Sequence, residues 1–116
     1  MLYITNAFSL GMFKNIQTAH ITIDTIYENS VKWWIEKYGN QFVSAVGHQA
    51  TADFISKILG VEVPFNRIEI KLNENDDVIV FQLQERLPEG RVLTEEELKE
   101  FASKVKWYLV HIDLIR

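Results

Sequence analysis

From Val78 to Leu83 the chain reads "VIVFQL", apolar except for Gln82. A strand with one wet face alternates polar and apolar residues, whereas a near-continuous apolar run marks a strand covered on both faces. This segment therefore belongs at the centre of a sheet, and the rest of the chain has to supply its neighbours and its cover.

Other strands are readable from clusters of β-branched and aromatic residues. They are "LYIT" (2–5), "HITI" (20–23), "FVSAV" (42–46), the alternating "NRIEIKL" (66–72) and "VKWYLVHIDL" (105–114). Helices fall between them. Thr25 and Glu28 have capping-box spacing, and Tyr27, Val31, Trp34 and Tyr38 recur at helical intervals until Gly39. Trp33 points away from that stripe, toward an expected interface. "QATADFISKIL" (49–59) runs from the Gly47-His48 joint to a cap at Gly60, and Thr94 with Glu97 opens a third helix over "EEELKEFA". The polar "NENDD" turn joins 66–72 to the central run as a hairpin. The expected fold is α/β: a single compact domain, residues 1–116, with a mixed β-sheet of about five or six strands flanked by helices.

A chain of 116 residues supports one core. Twelve Lys and Arg against sixteen Asp and Glu leave a formal net charge of −4. Binding to long duplexes draws its affinity from cations that neutralise phosphates, so this balance favours a small anion held in a pocket. Cysteine is absent, which removes disulfides and thiolate metal sites and accords with a reducing interior. No run approaches the ~18 apolar residues of a membrane span, and the strand-like start after Met1 carries no export signal. No membrane partner is expected.

Few residues offer chemistry. His48 stands where a strand gives way to a helix, beside Gly47, whose missing side chain permits a ligand to approach the backbone. Unpaired amides and the helix macrodipole collect phosphates at such joints, and an imidazole there can give a proton to a leaving oxygen near neutral pH. An ordinary first-turn residue is the competing reading of His48. Arg86 and Glu89 bracket the stiff Leu87-Pro88 pair. A guanidinium grips phosphate at two points, and a carboxylate orients or deprotonates a hydroxyl. The competing reading is a surface ion pair worth ~0–1 kcal/mol. Arg67 opens one strand and Gln82 ends another, and strand ends are common ligand positions in open α/β sheets. Asn6 and Ser9 offer hydrogen-bonding groups from a loop. His20 and His111 fall inside strands and read as structural. Walker A, GxGxxG, HExxH and calcium-loop patterns are missing, so neither a metal site nor a cofactor is expected.

Taken in order, "LYITNAFSL", "SAVGHQATADFISKILGVEVPFNRIEIKL" and "VIVFQLQERLPEGRVLTEEEL" resemble the viral ring nucleases. These are small viral and prophage proteins that act as anti-CRISPR factors against type III immunity. The likeness runs from Leu2 to about Leu98. It implies a homodimer in the host cytoplasm that binds cyclic tetra-adenylate. Without metal, such proteins cut the ring to linear di-adenylate carrying a 2′,3′-cyclic phosphate. Residue by residue, the resemblance implies that His48 of "GH" protonates the departing 5′ oxygen. Glu89 of "RLPEG" would assist the attacking 2′-hydroxyl or hold the site together, and Arg86 would steady the phosphorane. Asn6 and Ser9 of "NAFS", Arg67 of "NR" and Gln82 of "VFQL" would grip the ring. A ring of identical nucleotides can show two-fold symmetry, which a symmetric dimer matches.

The alternative is a non-catalytic, nucleic-acid-binding viral regulatory dimer. Net charge and the lack of a helix-turn-helix or basic arm speak against it. A protein–protein decoy that uses Trp33 is a further alternative.

Overall fold

In the computed structural model, which describes residues 1–116, the apolar run forms the middle strand of a five-stranded sheet. The elements in chain order are β1 (Leu2–Thr5), β2 (Ala19–Ile26), α1 (Glu28–Lys37), β3 (Val43–Ala45), α2 (Gln49–Leu59), β4 (Asp77–Gln82), α3 (Glu95–Lys104) and β5 (Lys106–Ile115). A short 3-10 turn covers Leu10–Met12. Across the sheet the order is β2-β5-β4-β1-β3. β1 lies parallel to both β3 and β4, while β5 runs antiparallel to β4 and β2. The carboxyl ends of three parallel strands therefore share one edge.

Alternation along β4 divides its side chains between two cores. Ile79 and Phe81 join Leu2, Ile4, Trp107 and Leu109 against Val31 and Ile35 of α1 and Ala52, Phe54, Ile55 and Leu59 of α2. Phe54 anchors this layer, its ring edge-to-face with Phe81 at 5.9 Å and with Phe101 of α3 at 6.4 Å. On the other face Val78, Val110 and Ile112 meet Met12, Ile70 and Leu72. The cover there is the 3-10 turn with its loop and an extended strap, and no α-helix takes part.

That strap is "NRIEIKL", which is not a strand and makes no hairpin with β4. Its alternation is real, because Ile70 and Leu72 are buried while Glu69 and Lys71 are exposed. The buried side chains rest on the face of the sheet, however, and the Leu72 amide donates to the Met12 carbonyl at 2.9 Å. Both edges of β4 already belong to β1 and β5. A period of two reports that one side is buried, without saying whether the backbone edge is laddered.

The start of α1 also differs from expectation. Thr25 and Ile26 pair with Tyr108 and Trp107, so the β-ladder holds the backbone that the Thr25–Glu28 capping box needs. Tyr27 becomes the N-cap without a side-chain bond, and it is 78% exposed, leaving Val31 and Ile35 as the buried stripe. Trp33 is outward-facing as read, 55% exposed and edge-on to Trp34. The other helix signals hold: Gly60 takes φ 71° after α2, and Thr94 and Glu97 exchange capping bonds at α3.

At the amino end of β4, buried Asp77 accepts from the Tyr38 hydroxyl at 2.5 Å, and its other oxygen lies 2.7 Å from His111 Nδ1. His111 is thus a structural partner across β4 and β5. Burial, reinforced by the bond to Asp77, pushes the Tyr38 hydroxyl up to about 12.

Candidate functional site

Each of the three parallel strands delivers one piece of the site at its carboxyl end. β1 ends in Thr5, whose hydroxyl donates to Ala45 of β3 at 3.2 Å and accepts the Ala7 amide at 3.2 Å. The chain turns there, and Asn6 Oδ1 accepts the Gly47 amide at 3.2 Å. β3 leads through Val46 and Gly47 into His48, the N-cap of α2 at φ −131° and ψ 130°. The imidazole does not cap the helix, so the ring is left exposed beside the first-turn amides.

Arg67 arrives by a different route. Asn66 donates its backbone amide to Val46 at 2.9 Å and its side-chain amide to Ser44 at 2.7 Å. Ser44 in turn donates to the Pro64 carbonyl at 2.6 Å. These bonds lash the head of the strap to the edge of β3 and lay Arg67 along Gly47. A Cβ on Gly47 would stand 3.7 Å from Arg67 Cγ, which is ordinary contact, so the joint has room for alanine.

β4 ends in exposed Gln82, and the loop beyond carries Arg86 and Glu89. That loop is not free. Leu87 is only 8% exposed and belongs to the helix-side core, while Arg86 and Glu89 on either side face solvent. Farther on, Arg91 forms a two-point pair with Glu97 at 2.8 and 2.5 Å, tying the loop to the capping box of α3. The Arg91 guanidinium, aided by the Thr94 amide, holds the Glu97 carboxyl down at about 2.

Two clefts result, and they share lining residues. One, of about 370 Å³, is lined by Asn6, Ser9, Gly47, His48 and Arg67, together with Lys14 and Glu69. The other, of about 360 Å³, is lined by Asn6, His48, Gln82, Arg86 and Glu89 with Ala50 and Thr51 of α2. Asn6 and His48 belong to both. Every residue expected from the sequence to act or bind in the site thus lines one of these clefts. Lys14, Glu69 and Thr51 were not foreseen. Lys14 and Glu69 lie on segments whose path depends on packing, and Thr51 lies in the first turn of α2, near His48 on the wall of the second cleft.

Chemically, the two clefts together offer an unshared imidazole at a helix N-terminus, the Arg67 and Arg86 guanidinium groups and the Glu89 carboxylate, with Lys14, Glu69 and Glu85 also on their walls. That set suits a phosphodiester, with the helix amides and arginines taking negative charge and the imidazole and carboxylate moving protons.

Known proteins with related sequences come mainly from archaeal viruses. The chain is 39% identical over 100 residues to the uncharacterized protein ORF117 of Acidianus two-tailed virus, covering 85% of this chain and 84% of that one. It is 37% identical over 110 residues to the uncharacterized protein 26 of Sulfolobus islandicus filamentous virus, covering 90% and 87%. A bacterial relative, the uncharacterized protein YddF of Bacillus subtilis, is 33% identical over 90 residues, covering 78% and 77%. The solved structure of B116 of Sulfolobus turreted icosahedral virus superposes with a TM-score of 0.81 at 32% identity, covering 95% of this chain and 97% of that one. At that identity it is a relative with its own sequence. Residues 2–109 match the family described as STIV B116-like, and the chain belongs to that family.

Proposed function

We propose that this chain is a ring nuclease. It binds cyclic tetra-adenylate as a homodimer and cuts it, without a metal, to linear di-adenylate with a 2′,3′-cyclic phosphate, suppressing type III CRISPR immunity in the host cytoplasm. The observation that carries this reading is a pair of clefts that share Asn6 and His48. Arg67 and Ser9 line one of them, and Gln82, Arg86 and Glu89 the other.

A phosphodiester seated beside Asn6 and His48 places one nucleotide in each cleft. The ribose 2′-oxygen attacks phosphorus as the bond from phosphorus to the 5′ oxygen breaks. Glu89 orients the 2′-hydroxyl and takes its proton, and His48 gives a proton to the departing 5′ oxygen. Arg86 and the first amides of α2 meet the charge that builds on the phosphorane. The nucleophile is part of the substrate, so the step requires no activated water. Two such cuts on opposite sides of the ring yield two identical di-adenylates, which suits a symmetric pair of sites.

The test is incubation of the protein with cyclic tetra-adenylate in EDTA and mass analysis of the products. Di-adenylate with a cyclic phosphate supports the reading, and an intact ring contradicts it.

A further inference from the structure

The first cleft holds a charged pair to which no role has yet been given. Lys14 Nζ stands 3.9 Å from Glu69 Oε2, and both side chains line the opening shared by Ser9, Gly47 and Arg67. Neither residue lies in a helix or strand, yet both are held. Lys14 follows the 3-10 turn, whose Met12 is buried and accepts the Leu72 amide at 2.9 Å, and the rings of Phe8 and Phe13 meet edge-on at 6.2 Å. Glu69 precedes Ile70, which is buried against the same face. The two backbones are therefore stitched together while the charged ends stay in solvent.

A pair this long, with the glutamate side chain 89% exposed, belongs at the weak end of surface ion pairs. A phosphate offers an ammonium both charge and a short hydrogen bond, so an anionic ligand in this cleft takes Lys14 away from Glu69. The carboxylate left behind repels the same ligand. Arg67 has no acidic partner of its own, so Lys14 is the one cation of this cleft whose charge is offset by a neighbour.

We infer that Lys14 is a further phosphate contact for the ring and that Glu69 restrains it, setting affinity by competing for the same ammonium. This rests on the reading of the two clefts as the cyclic tetra-adenylate site.

Isothermal titration of cyclic tetra-adenylate into His48→Ala protein keeps the ring intact and reads the effect. Lys14→Met is expected to weaken binding about 5-fold or more and to lower the log–log salt slope by about 0.7, as one lost phosphate contact does. Glu69→Gln is expected to tighten binding by about 3-fold, and most of that gain disappears when Lys14 is also Met. Thermal midpoints close to the parent's show that the fold is unchanged. Unaltered affinity in Lys14→Met, or a Glu69→Gln gain that persists undiminished without Lys14, overturns this inference and leaves the ring site standing. No binding by either the parent or His48→Ala removes the site itself and this inference with it.

Discussion

The Asn6 side-chain oxygen accepts the Gly47 amide proton at 3.2 Å, and this bond ties the exit of β1 to the joint that carries His48. It crosses between two strands whose neighbouring ends, Thr5 and Ala45, line the first cleft. Asn6→Ala leaves that amide without its partner and frees the joint to shift. Stability is expected to fall by about 1 kcal/mol, the net worth of one such bond, while ring cleavage falls by about 10- to 100-fold through misplacement of the imidazole. Unfolding and cleavage measured on the same preparation check the disproportion. Equal small losses in both would show that the bond does not position His48.

Leu87 is the plug that gives the Arg86–Glu89 loop its shape, because it is buried between two exposed charged neighbours. Leu87→Ala is expected to cost about 2–4 kcal/mol, as for other buried leucines, and to lower cleavage because the charged pair loses its anchor. Denaturant unfolding and single-turnover kinetics read the two effects. A variant with full stability would contradict the anchoring role.

At the acid end of the pH range the Arg91–Glu97 clamp sets the behaviour of this loop. The Glu97 carboxyl drops from 4.5 to about 2, chiefly because Arg91 bonds to it. Its folded value is depressed, so the stabilisation is present above pH 4.5 and disappears as the pH falls toward about 2. Glu97→Gln is expected to flatten that portion of the thermal midpoint against pH, most visibly at low salt, since the pair is solvent-screened. An unchanged acid limb would exclude the clamp as its source.

The alkaline end depends on the opposite edge of the sheet. Burial and the bond to Asp77 raise the Tyr38 hydroxyl from 10.0 to about 12. The raised value means that this contribution is complete below pH 10 and is lost as the pH rises through about 12. Tyr38→Phe is expected to lower stability near neutrality by about 1–3 kcal/mol and to remove that alkaline loss. Cleavage is expected to stay within about two-fold, because Asp77 opens β4 whereas the clefts lie past its far end at Gln82. A large fall in cleavage would mean that the two ends of the sheet are coupled.

Much of this was legible in the chain because the signals were local. The near-continuous apolar run at 78–83 identified the central strand, and Gly60 and the Thr94–Glu97 box identified helix ends whose chemistry lies within a few residues. The strap at 66–72 was misread because its alternation is satisfied by a face, and only the three-dimensional order of β1, β4 and β5 shows that no edge was left for it. Thr25 was misread for a related reason, since a long-range ladder with Tyr108 overrode a short-range cap. His48, Gln82 and Arg86, proposed for the site from the sequence, sit at strand ends or just beyond and line the clefts. Lys14 and Glu69 came together through the packing of Met12, Ile70 and Leu72, which no local pattern encodes.

Removal of the imidazole tests the central claim most directly, by comparing the rate of ring cleavage with ring affinity in His48→Ala. A general acid that acts on the leaving oxygen contributes about 10²- to 10⁴-fold, so the rate at saturating cyclic tetra-adenylate is expected to drop by that factor while the dissociation constant stays within about three-fold. Cleavage at the parental rate, or a fall in rate matched by an equal loss of affinity, would contradict the assignment of His48 as the residue that delivers the proton.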